Sequence, residues 1–297
     1  MLGKHIALVL FGFGFALLLS APSSSTPAWE QAQPPSLSQQ QIQDLIRKSA
    51  DNDLQNDKKQ RDYTYTQRQE ERRLDGQGRV KSTEIRTSEI MELYGEPVRR
   101  LVAKDDKPLS AKDAAKEEQK IQKVVDGRKN ESPDDRRKRE DKEEKGREQD
   151  REFVREVADA YHFHLVGIET MDSRPTYVID AEPRAGYVPH LKGAKVLPKF
   201  RFRAWIDKDE SQWKKLDVQC IDTVSFGLVL ARLHQGSRII LEQTRVNDEV
   251  WLPQHVTLKV DLRLALLKEY NIESDIAYSN YKKFHTDTKI VSGAEAP

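Results

Sequence analysis

Between Val256 and Leu266 apolar and polar positions alternate without a break. Val256, Leu258, Val260, Leu262, Leu264 and Leu266 take one side, and Thr257, Lys259, Asp261, Arg263 and Ala265 the other. A period of two predicts a strand with one face buried and one face wet. Burying a side chain of this size contributes roughly 1.5–3 kcal/mol, so a row of five or six amounts to about a whole domain's net stability. Such a row requires a cover: other parts of the chain, or an apolar guest.

Strand-like patterns recur through the second half of the chain. His162–Ile168, Thr176–Ala181, Phe200–Ile206, Trp213–Ile221, Ser237–Arg245, Val250–Leu252 and Asp275–Tyr281 all read as strands, punctuated by turn signals at Asp207-Lys208-Asp209-Glu210, Asn247-Asp248 and Pro253. Upstream, Arg61–Leu74 and Arg79–Tyr94 flank Gly76-Gln77-Gly78 and predict a hairpin that largely faces water. Val98–Ala103 adds a short third strand. Helical signals are fewer. Ser38 with Gln41 forms a capping box ahead of Ile42, Leu45 and Ile46, which share a face with Leu37, and this helix is expected to end in a solvated turn at Asp51–Lys59. Ser110 with Asp113 opens a second helical stretch through about Val125. Phe153, Val157, Ala160 and Tyr161 lie on one face of a third. Sequential strands with short connections imply an antiparallel meander. The predicted class is mainly antiparallel β with helices (α+β): an incomplete, half β-barrel whose concave side carries the helical segments near 38–50 and 151–161.

Composition changes the picture at two places. Lys4 and His5 precede the apolar run Ile6–Leu19 and the small residues Ser20-Ala21-Pro22-Ser23. This describes a secretory signal peptide, residues 1–23; the run is too short for the ~20 residues that span a bilayer. It predicts an exported, periplasmic protein that is not integral to a membrane once processed. Residues 24–37 read as a flexible linker, 38–285 as one half-barrel domain, and 286–297 as a disordered tail. Within the domain, eighteen of the twenty-four residues from Gly127 to Asp150 are charged, nine of each sign. That density marks a solvated charged helix within an insertion spanning about 110–150, one able to present a surface to a protein partner. The net charge of +1 gives no field that favours nucleic acid.

Candidate chemistry is sparse. The chain lacks a G-x-S-x-G elbow, an H-E-x-x-H motif, a Gly-rich phosphate loop and paired cysteines, so no catalytic residue, cofactor or metal is assigned and the chain reads as a non-enzyme. His162 and His164 would share one side of a strand, either as a metal-binding pair or as structural residues without a third ligand. Cys220, the single cysteine, falls in phase with Leu216 and Val218 and reads as a buried thiol. Asp51, Asp53 and Asp57 lack the central glycine and final glutamate of a calcium loop. Trp205 and Trp213 stand among polar neighbours, which suits either partner contact or cover by a helix. Ser225–Ala231 is apolar without alternation, suiting a strand buried on both faces or a loop at a cavity edge.

Two stretches carry a resemblance. Phe200–Ile206 with Asp207-Lys208-Asp209 and Gln212-Trp213-Lys214-Lys215 forms an apolar strand, an Ile-Asp turn and a second strand. Asn247-Asp248-Glu249-Val250-Trp251-Leu252-Pro253 then precedes a strongly alternating strand. Together they resemble the exported outer-membrane lipoprotein-sorting family, mainly over residues 200–285. The resemblance implies a half-barrel closed on one side by helices around an apolar cavity that holds an acyl chain or lipidated protein, without cofactor. Cavity candidates are then Val256, Leu258, Val260, Leu262, Leu264, Phe202 and Phe226, and partner-contact candidates Trp205 and Trp213. The alternative is a structural or regulatory interaction protein whose barrel is filled by its own helices.

Overall fold

A computed structural model describes residues 37–94, 96–226, 231–264 and 268–284. The signal peptide, most of the linker and the C-terminal tail expected from the sequence lie outside these residues, as does most of the apolar stretch Ser225–Ala231.

The chain begins with helix α1 (Gln39–Gln60) and the strands β1 (Tyr63–Leu74), β2 (Val80–Leu93), β3 (Glu96–Lys104) and β4 (Lys107–Pro108). Two helices follow, α2 (Ala111–Lys129) and α3 (Pro133–Ala160). The rest is strand, with an eight-residue 3-10 helical segment at Lys192–Lys199: β5 (Tyr161–Met171), β6 (Arg174–Pro183), β7 (Phe200–Asp207), β8 (Trp213–Cys220), β9 (Val224–Phe226), β10 (Ala231–Leu233), β11 (Arg238–Val246), β12 (Val250–Leu264) and β13 (Lys268–Lys283). All thirteen strands join one antiparallel sheet in the order β4-β3-β2-β1-β13-β12-β11-β8-β7-β6-β5, with β9 and β10 pairing beside β12. The sheet does not close: β4 and β5 are its two ends. It is an open half-barrel.

The local sequence explains the joints. Ser38 Oγ accepts from the Gln41 N–H at 3.2 Å while Gln41 Oε1 accepts from the Ser38 N–H at 2.9 Å, the reciprocal cap expected for α1. Ser110 and Ser132 cap α2 and α3 by accepting from the Asp113 and Asp135 N–H groups without the reciprocal bond, and Pro133 with Asp134 and Asp135 suits the positive start of α3. Paired residues of positive φ, Asp172-Ser173 and Asn247-Asp248, make the tight turns between β5 and β6 and between β11 and β12.

Two expectations are corrected. Asp51–Lys59 is helix rather than a solvated turn, because its polar side chains find partners inside the protein. Pro253 does not end a strand: β12 runs through it, with the register shifting where Glu242 pairs with His255 and Gln243 with Pro253. A bulge removes the need for the missing proline N–H. The charged segment is helical, and α3 continues from Pro133 into the packed residues Phe153 and Val157. It is about 42 Å long at 1.5 Å per residue.

The main core lies on the face that carries α1, here the inner face. Ile42 and Ile46 of α1 and Ala158 and Ala160 of α3 pack with Phe163, Ile179, Ala204, Ile206, Trp213, Ile239, Leu241, Val256 and Ile276. The two helical segments expected on the sheet's concave side therefore share the same face. Helix α2 does not. Its Ile121 packs with Leu93 and Val98, and the registers Gln69–Ile276, Tyr65–Ile90 and Met91–Val98 put those residues on the outer face. The chain thus crosses from outer to inner face between α2 and α3. Helix α3 then packs along α1, with Arg47 pairing to Asp159 at 2.9 Å, and delivers the chain to β5 at the far end of the sheet.

Candidate functional site

The alternating row of β12 is covered in two different ways. Val256 is 5% exposed beneath α1 in the main core, and Leu258 packs at that core's margin. Val260 and Leu262 instead join a second apolar cluster of Phe200, Cys220, Val224 and Leu233, to which α1 contributes nothing. Phe202 belongs to the edges of both clusters and stands 5.0 Å from Tyr161 and 6.3 Å from Phe163, centroid to centroid. Leu264 and Phe226 both pair through the backbone with Ala231 at this end of the sheet, but their side chains lie outside those described. Val260, Leu262 and Phe202 are half-buried. Among the described residues α1 and α3 do not reach this end of the inner face, and Val196 of the Lys192–Lys199 segment is the helical side chain that packs there.

The second cluster owes its position to a broken hairpin. Strands β8 and β9 run as one arm and β10 and β11 as the other, interrupted at the same level by Ile221–Thr223 and by His234–Ser237. The Cys220 N–H donates to the Ser237 carbonyl at 3.0 Å, and the Gly236 N–H to the Cys220 carbonyl at 3.2 Å. Gly236 has a φ of +93°, which an L side chain would resist. The break turns Cys220 inward, where burial pushes its thiol up to about 11. A thiol of this kind is a packing residue, as its phase with Leu216 and Val218 indicated.

At the opposite end, α1 is fastened by a polar network that the sequence did not reveal. Asn52 donates to the carbonyls of Glu210 at 2.8 Å and Ser211 at 3.2 Å. Asn56 donates to Gln212 Oε1 at 2.7 Å and accepts from the Trp251 N–H at 3.3 Å. The Asp53 carboxylate accepts from Gln243 Nε2 at 3.1 Å, from Gln212 Nε2 at 3.5 Å and from Trp213. Burial pushes the Asp53 carboxyl up, against the lowering effect of those donors. Next to this network Arg174 holds the fully buried Asp207 through two bonds of 2.5 and 2.9 Å and reaches Glu210 at 2.9 Å. Trp251 Nε1 donates to Glu210 at 2.7 Å. Lys214, 1% exposed, donates to the Met171 carbonyl and pairs with Asp172 at 3.0 Å. One signal was available: Ile42, Ile46, Ser49, Asp53, Asn56 and Gln60 form a single helical stripe that changes from apolar to polar.

The two candidate tryptophans separate. Trp205 is half-buried on the outer face, with Nε1 donating to Glu169 at 3.1 Å and the cations of Lys215 and Arg203 at 5.5 and 6.0 Å from its ring. Trp213 is 7% exposed in the main core. Of the two readings open for it, partner contact or cover by a helix, its burial in the core with α1 matches the second, and the register shift between Trp205 and Ile206 turns it inward. His162 and His164 share the outer, exposed side of β5 while Tyr161 and Phe163 are buried. Among the described residues no group of three or more His, Cys, Asp or Glu is placed to hold a metal ion. A trough of about 320 Å³ crosses the outer face between Glu70, Arg72, Arg238, Thr257, Lys259 and Glu273. Its charges are matched in pairs, such as Lys259–Glu273 at 2.9 Å, so it reads as a wetted, twisted sheet surface. Among the described residues no helix is long and apolar enough to cross a membrane.

No family model matches the chain, and no curated protein matches it. Solved structures similar to it include an outer membrane lipoprotein-sorting protein domain from Vibrio parahaemolyticus, at 11% identity over 82% of this chain and 95% of that one, with a TM-score of 0.31. A DUF1329 family protein from Desulfovibrio piger is similar at 11% identity over 82% and 95%, with a TM-score of 0.27. A LolA superfamily protein from Nitrosomonas europaea is similar at 9% identity over 82% and 93%, with a TM-score of 0.25.

Proposed function

We propose that this is an exported, periplasmic, non-enzymatic binding protein of the lipoprotein-carrier type, whose half-barrel takes an acyl chain, free or on a lipidated protein, at the Val260–Leu262 end. The observation that carries the reading is the split cover of β12. Helix α1 packs over Val256, whereas Val260, Leu262 and Phe202 stay half-buried in a small apolar cluster to which, among the described residues, the helices contribute only Val196 of the Lys192–Lys199 segment. Each buried methylene contributes about 0.8 kcal/mol. Ten of them give about 8 kcal/mol gross, and the costs of immobilisation leave a weak, exchangeable complex of the kind a carrier needs.

Titration with a fluorescent fatty acid tests this reading. The protein is expected to bind the probe, and Leu262→Arg to weaken binding at least tenfold while the thermal midpoint moves little. Absence of binding, or equal binding by the variant, removes the proposal.

A second reading is supported by α1 itself. Ile42 and Ile46 already fill the central part of the inner face, as an interaction protein with a self-filled barrel would require. Its partner surface would then be the exposed charges of α3, such as Arg136 and Arg137. Reversing those two charges separates the readings: loss of a protein partner with unchanged probe binding favours the second.

A further inference from the structure

Glu92, near the end of β2, is placed unlike any other carboxylate described. The register pairs its neighbour Ile90 with Tyr65 of β1 and Arg99 of β3, so Glu92 points to the inner face, toward the helices. Its Oε1 is buried and has no hydrogen-bond partner. The groups that act on it come from three packed elements. Helix α1 supplies Arg61, which favours the ionised form, and Asp57, which opposes it; α3 supplies Glu143, which also opposes it. Tyr65 of β1, hydrogen-bonded with Gln60, is close enough to feel the charges of both Glu92 and Arg99. Glu143 is itself flanked on α3 by Arg139 at 3.4 Å and Arg147 at 3.7 Å, and Arg61 is shared with Asp57 at 3.5 Å. Arg61, Arg139 and Arg147 are each therefore engaged by a carboxylate other than Glu92.

The part of α3 that crosses this position differs from the part that packs. From Phe153 onward α3 meets the main core through Phe153, Val157, Ala158 and Ala160. Before it, the half-buried positions are Arg139, Glu143, Gly146, Arg147, Asp150 and Arg151, a set without an apolar side chain. This half is held by electrostatics and helix continuity, so a charge appearing beneath it has little hydrophobic adhesion to overcome.

We propose that the amino-terminal half of α3 is a pH-governed strap over the β1–β2 end of the inner face, closed when Glu92 is protonated and loosened when it ionises. Burial pushes the Glu92 carboxyl up to about 7, so the change falls near neutral pH. The sign follows from linkage: the closed form binds the Glu92 proton more tightly than the opened form, so closure weakens as pH rises from the ordinary carboxylate range through 7 and levels off above it. What opens is the face carrying Tyr65 and Ile90. The device depends on Glu92 and α3 alone and stands whether or not an acyl chain binds at the other end.

Hydrogen exchange at residues 133–150, corrected for intrinsic rates, tests this in the intact protein. Protection is expected to fall severalfold, up to about tenfold, between pH 6 and pH 8, while α1 and β12 keep theirs. Glu92→Gln is expected to stay protected at both pH values. Glu143→Gln, which keeps Glu92, is expected to flatten the pH response in part. A pH-independent strap in the wild type overturns the proposal, as does an undiminished response in Glu92→Gln.

Discussion

Asn56 of α1 both donates to Gln212 Oε1 at 2.7 Å and accepts from the Trp251 backbone N–H at 3.3 Å. One side chain thereby ties the helix to the β7–β8 turn and to the start of β12. The inner-face helix is thus anchored by directional bonds at its carboxyl end and by Ile42 and Ile46 nearer its start. A helix fixed at both points stays over Val256 and, among the described residues, does not extend to the Val260–Leu262 end of the row.

Asp207 and Arg174 form the strongest ion pair at this anchor. Burial pushes the Asp207 carboxyl up, but Arg174 and the backbone N–H groups of Glu210 and Asp209 outweigh it and hold the carboxyl below its ordinary range. Because the folded form releases the proton more readily, its stability is present above the ordinary carboxylate range and is lost as pH falls through the folded value. Removing one partner of such a pair leaves a buried, unpaired group. Arg174→Ala is expected to cost about 2–4 kcal/mol at pH 7 in urea unfolding, and less at pH 3.

Asp53 has the opposite sign. Its carboxyl is pushed up by burial, so its contribution weakens as pH rises above the ordinary carboxylate range. Asp53→Asn is expected to remove part of the decline in thermal midpoint between pH 4 and pH 7. An unchanged slope would show that α1 carries no buried charge at this point.

The two tryptophans separate by location. Trp213→Ala, which empties a buried core site, is expected to cost about 3–5 kcal/mol. Trp205→Ala, on the outer face, is expected to cost about 1 kcal/mol or less. Urea unfolding of the two variants measures the difference directly.

Cys220 offers a labelling test of the second apolar cluster. With its thiol raised to about 11 and buried, it is expected to resist iodoacetamide at pH 8 in the native protein and to react at once in denaturant. Fast native labelling would mean that the break between β8 and β9 opens readily.

Much of the sheet was legible because its rows obey simple periods. Val256, Val260 and Leu262 announce an inner face, and the paired turn residues Asn247 and Asp248 announce a hairpin. The anchor of α1 was not legible. Asn52, Asp53 and Asn56 look like solvent-seeking residues, and only tertiary contact with Gln212, Gln243 and Glu210 turns them inward. The choice between partner contact and helix cover for Trp213 was not legible, because a single register shift exchanges faces. The outer position of α2 was hidden too, because its apolar residues Ile121, Val124 and Val125 fit either face of a sheet that is polar on both sides there.

The central claim is that the Val260–Leu262 end holds an acyl chain. Native mass spectrometry of the protein isolated from an exporting host, with lipid extraction of the same sample, tests it most directly. The account predicts a bound species whose mass matches an extracted acyl lipid, and its loss in Leu262→Arg. Protein of the bare chain's mass, with no lipid in the extract, would contradict it.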